Sequence, residues 1–115
     1  MKTKPNKTVA KLREILGKTQ AQFAVMLGVS RDTIVSVENG RNRLRPGLAA
    51  RIHIATGVNQ VNLLENTGVL MTGDQDPYGR GISEYTRESF EEWRNNVFYE
   101  GDDPAGRKKN RAIFL

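Results

Sequence analysis

The stretch 19–40, TQAQFAVMLGVSRDTIVSVENG, admits few arrangements other than two short helices joined by a tight turn. Thr19 is a helix-capping residue, and Gln22 three positions on completes a capping box. Phe23, Ala24 and Leu27 fall on one helical face. Gly28 follows at once, where a helix stops through a left-handed residue. Val29 tucks in beside the turn. Ser30 caps a second helix with Ile34 and Val37 on its inner face, and Gly40 ends it. Ala24, one turn before Gly28, is small enough to let the two helices cross closely. Arg31, Asp32, Val35 and Ser36 are left on the outer face of the second helix. That face is short, mixed and rich in hydrogen-bonding groups, where a purely structural bundle helix usually carries long Glu and Lys side chains.

Charge gives this helix pair a direction. Residues 1–66 hold 11 Lys/Arg against 4 Asp/Glu, whereas residues 67–115 hold 7 against 9. The positive charge sits with the paired helices, which favours a polyanion as partner. Cysteine is absent, so disulfides and thiolate metal sites are excluded and a reducing, cytoplasmic setting is expected. The basic start MKTKPNK is followed by no apolar run, so it does not read as a signal peptide, and no stretch is apolar enough to span a membrane.

The spacing of Gln20, Phe23, Ala24, Leu27, Gly28, Val29, Ser30, Ile34 and Val37, with the ending Glu38-Asn39-Gly40, resembles the helix-turn-helix of the Cro and phage-repressor family, also called the xenobiotic-response-element family. The resemblance runs from about Val9 to about Asn66. It implies a five-helix, all-α bundle that binds double-stranded DNA as a homodimer on a near-palindromic operator. It also implies that Arg13, on the first helix, pairs with Glu38, and that Gln20 hydrogen-bonds a phosphate. The region after the fourth helix often supplies the family's dimer contact, placed here within residues 58–98.

The remaining elements fit around that unit. Residues 1–7 read as a flexible basic arm. Thr8 is expected to cap a first helix that runs to about Leu16 with Val9, Leu12, Ile15 and Leu16 as its stripe. Residues 41–45, RNRLR, form an arginine-dense loop, and Pro46 suits the first turn of a fourth helix ending at Gly57. His53, the only histidine, has no catalytic partner in the pattern. Asn59 is expected to cap a fifth helix through Val61, Leu63 and Leu64, which closes the domain at residue 66. Residues 67–106 follow as an acidic loop and helix for packing or dimerisation. There GDQDPYGRG reads as surface loop, and Asp74 and Asp76 lack the following glutamate of a calcium loop. Thr86 caps a sixth helix, RESFEEWRNNVF, with Phe90, Trp93 and Val97 on one face. Residues 107–115 read as a disordered basic tail.

The expected chemistry is recognition, with no catalytic set, metal site or cofactor. With the second helix of the pair in the major groove, the arginine fork of Arg31 matches O6 and N7 of guanine. Asp32 can accept from cytosine N4 or orient Arg31, Val35 can touch a thymine methyl, and Ser36 can read several bases. Gln20, Ser30, Thr33, Asn39, Arg41, Arg43 and Arg45 are expected on backbone phosphates, where they set register. Binding near a promoter would then repress by occlusion. A different class of function is an antitoxin-like or coactivator-like adaptor that docks a protein through Phe90, Trp93 and Val97.

Overall fold

The computed structural model describes residues 3–73 and 83–95. The chain is all-helical: six helices follow in order among these residues, α1 (Lys7–Ile15), α2 (Gln20–Leu27), α3 (Arg31–Asn39), α4 (Pro46–Thr56), α5 (Gln60–Glu65) and α6 (Arg87–Arg94). The GDQDPYGRG loop beyond Gly73, Val97 and the basic tail lie outside the described residues.

The core forms where the apolar stripes converge. Val9 and Leu12 of α1, Phe23 and Leu27 of α2, Ile34 and Val37 of α3, and Ala49 and Ile52 of α4 are all buried together. Ala24 is 2% exposed, and its carbonyl accepts from Val29 N–H at 3.0 Å across the turn, so α3 leaves α2 at close quarters. Pro46 opens α4, since its missing N–H would have no helical partner there. Gly57 ends α4 at φ +82. There His53 Nδ1 lies 2.9 Å from the carbonyl of Val58, an acceptor, and tightens the exit.

Several local features depart from the sequence reading. Asn6, not Thr8, caps α1: its side chain accepts from Val9 N–H at 2.9 Å. Thr8 is instead buried within the first turn, where its hydroxyl donates to Asn66 and accepts from Gly68 N–H. The arm read as flexible is held over residues 3–6. Thr3 N–H donates to Gly40 O, Asn6 N–H to Val37 O, and the Asn66 amide to Pro5 O. In α5 only Leu63 is buried, while Val61 and Leu64 are 50% and 39% exposed. A six-residue helix has room for one inward position when its neighbours cover one side.

The segment after α5 carries more structure than its glycines suggested. Val58 pairs with Thr72, and Met71 with Glu84, as isolated antiparallel bridges. Leu70 and Tyr85 are thereby drawn into the core. Thr86 caps α6 in a capping box with Ser89. Phe90 packs against the core, and the Trp93 ring lies over Gly57, where a Cβ would stand 2.8 Å from Cγ of the indole. The Phe90–Trp93 face is therefore engaged with the chain's own helical domain.

Tyr85 is 3% exposed and its hydroxyl has no hydrogen-bond partner among the described residues. Burial pushes the phenol above its usual range. The folded pKa is raised, so the contribution to stability is complete below about pH 10 and declines as the unfolded chain begins to ionise. Tyr85→Phe should leave stability at pH 7 unchanged or raise it by up to about 1 kcal/mol. It should also remove an alkaline loss approaching about 1.4 kcal/mol per pH unit above pH 10. Urea unfolding at pH 7 and pH 11 checks both.

Candidate nucleic-acid interface

The interface is built from the two capped helices and the loop behind them. The Thr19 hydroxyl accepts from Gln22 N–H at 3.1 Å, and the Gln22 side chain accepts in return from Thr19 N–H at 2.9 Å. Gly28 turns the chain at φ 72, ψ 33. Ser30 then accepts from Thr33 N–H at 3.2 Å, so α3 starts with its first turn fixed. The Arg51 guanidinium donates to Leu27 O at 3.1 Å and closes the C-terminal end of α2. Nothing in the local sequence around Arg51 points to that task, because the contact spans 24 residues.

Behind α3, Arg13 and Glu38 lock the scaffold. Arg13 Nε donates to Glu38 Oε2 at 2.7 Å and Nη2 to Oε1 at 3.1 Å, a two-pronged pair between α1 and α3. The side chains are 17% and 8% exposed. The hydrogen bond to Glu38 pushes the guanidinium pKa up, against an opposing effect of burial. Arg13 Nη1 also donates to Lys18 O at 2.9 Å, which fastens the chain just before α2.

The residues expected on phosphates divide into two groups. Arg43 and Arg45 are exposed and flank, with Asn42, an open groove of about 330 Å³ that runs along Asp32, Thr33 and Ser36 to Leu48 of α4. The others already hold protein partners. Gln20 Nε2 donates to Glu38 Oε1 at 3.1 Å, so one N–H of its amide is left for a phosphate. The Ser30 and Thr33 hydroxyls lie 2.8 Å apart and share one hydrogen bond. Asn39 Oδ1 accepts from Arg41 N–H at 2.8 Å and keeps its amino group outward.

The outer face of α3 differs from its expected form at Ser36, and Asp32 has another arginine as its partner. Arg31 is exposed, as its spacing implied. Val35 is half-buried. Ser36 is 1% exposed and is not a surface hydroxyl. Arg41 covers it: Nε donates to Ser36 Oγ at 3.1 Å, and Nη2 makes a second, short bond to the same oxygen. Asp32 pairs with Arg41 Nη2 at 3.0 Å, not with Arg31. Arg41 is thus folded back over the helix and does not point outward from the loop. Helix periodicity placed Ser36 correctly by angle but carried no information about a side chain arriving from beyond Gly40.

Among the described residues, no group of three His, Cys, Asp or Glu side chains is placed to hold a metal ion, and no helix is long and apolar enough to cross a membrane. Residues 9–59 match the family model described as helix-turn-helix. No curated protein and no solved structure matches the chain. The matched span takes in α2, the Gly28 turn and α3 together with the Arg13–Glu38 pair that braces them. Residues 9–59 are therefore a Cro and phage-repressor-type helix-turn-helix, the domain of a family of DNA-binding regulators.

Proposed function

We propose that the chain is a dimeric, sequence-specific regulator of transcription that sets α3 in the major groove of duplex DNA and represses by occlusion. One observation carries the reading: Asp32 and Thr33, in the first turn of α3, line one open groove together with the exposed arginines 43 and 45. Polar groups of α3 and phosphate-seeking charge thus share one groove. Val61, Leu64 and Val69 are large apolar side chains left substantially exposed near α5, and they offer the surface on which two copies would meet. The two recognition helices of such a dimer are expected on half-sites roughly 34–36 Å apart. The organisation proposed is one helical domain over residues 8–66, with the following acidic segment packed on it, in a cytoplasmic protein.

Selection of bound duplexes from a random pool, at two salt concentrations, tests the reading. Enrichment of a near-palindrome is expected; salt-sensitive binding without any motif would reduce the function to generic affinity. Two variants separate the kinds of contact. Arg31→Ala should cost about 1–3 kcal/mol on the selected site and relax preference at one base pair. Arg43→Ala should weaken all sequences alike and make the salt slope shallower by about one unit.

A further inference from the structure

We propose that Arg41, which belongs to the loop after α3, reads a guanine in the operator from a position held for it by Asp32 and Ser36. The proposal rests on the reading of α3 as the major-groove helix. Gly40 turns the chain at φ 85, and Asn39 Oδ1 fixes the Arg41 amide at 2.8 Å. From there the side chain runs back across α3 and reaches Asp32, nine residues earlier, in the helix's first turn. An arginine that serves only a phosphate has no need of this return; its charge works equally well extended into solvent.

The attachments are specific in their chemistry. Nε and Nη2 both donate to Ser36 Oγ, and Nη2 donates as well to Asp32 Oδ1. Nη1 makes no hydrogen bond among the described residues, so its two protons are left for acceptors outside the protein. Guanine, with O6 and N7 both on its major-groove edge, is the base that offers the most acceptors there. Asp32 and Arg41 side chains are 81% and 51% exposed, so their pairing contributes little to folding. Its effect is to orient. It also removes an objection to Asp32 itself, since a carboxylate facing phosphates is repelled unless a cation accompanies it. Ser36, being covered, yields its place on the reading surface to the guanidinium that covers it.

The test compares the full chain with Arg41→Ala, Arg41→Lys and Asp32→Ala by quantitative competition against every single-base variant of the selected site. The proposal expects Arg41→Ala and Asp32→Ala to flatten preference at the same G·C pair by about tenfold. Arg41→Lys should restore overall affinity and salt dependence but not that preference, because an ammonium cannot keep the bonds to Ser36 and Asp32 and also present a fixed donor to the base. Arg41→Ala lowering affinity for all variants by one common factor would overturn it and make Arg41 a phosphate contact. A wild-type chain that shows no sequence preference would overturn the major-groove reading itself, and this proposal with it. Circular dichroism melts of each variant identify any loss that comes from unfolding.

Discussion

Glu38→Ala will unfold the domain at a temperature about 10–20 °C lower than the parent chain, through a loss of about 3 kcal/mol. The carboxylate is 8% exposed and accepts from Arg13 Nε, Arg13 Nη2 and Gln20 Nε2. Its removal strands a guanidinium that is itself 17% exposed. The cost comes from that stranded charge more than from the lost attraction, because desolvation offsets much of a buried pair's Coulomb energy. Replacing both partners by apolar residues, as in Arg13→Met with Glu38→Leu, should therefore destabilise less than the two single changes combined. Thermal and urea unfolding of the three variants checks the order. A Glu38→Ala chain within about 0.5 kcal/mol of the parent would show that the pair is solvated.

Gly57→Val should cost about 2–5 kcal/mol and detach α6 from α4. Two costs add at this position. At φ +82 a β-branched side chain pays about 1–2 kcal/mol for the left-handed backbone. The new side chain also enters the Trp93 ring, whose Cγ, Cδ2 and Cδ1 stand 2.8–3.0 Å from the added Cβ, and overpacking of this kind costs about 1–3 kcal/mol. Trp93 is the chain's one tryptophan, so its emission reports the site directly. A red shift in Gly57→Val is expected. Trp93→Ala in the same background should recover the steric part and leave the backbone part. An unshifted spectrum with parental stability would mean that the indole does not rest on Gly57 in solution.

How much of this was legible in the residues depends on the distance over which each contact acts. The caps at Thr19, Ser30, Asn59 and Thr86 and the left-handed ends at Gly28, Gly40 and Gly57 are local, and the residue types alone place them. The Arg13–Glu38 pair spans 25 residues and was foreseen only through the family resemblance. The misses share a cause. Asn6 and Thr8 both suit a cap, and the choice between them is made by Asn66, 58 residues away, which takes up the Thr8 hydroxyl. Tyr85 and Leu70 belong to the core because short backbone bridges bring a glycine-rich segment back onto it, and such bridges leave no periodic pattern. On the outer face of α3, Arg31 was placed by helical angle. The covering of Ser36 depends on where a flexible arginine comes to rest.

Asn6 gives the domain a mechanical property beyond capping. Its backbone N–H holds the last turn of α3 through Val37 O, its amide nitrogen holds Leu63 O of α5 at 3.1 Å, and its side-chain oxygen holds the start of α1. A single 5%-exposed residue thus ties α3, through its backbone, to the helix that bears the exposed Val61 and Leu64, through its side chain. Were two copies to join on that apolar surface, the span between their α3 helices would be set by this joint and not by the loops around it. Asn6→Asp would exchange its amide donor for a carboxylate facing the Leu63 carbonyl, and should blur the tolerated gap between half-operators while each half-operator is still recognised.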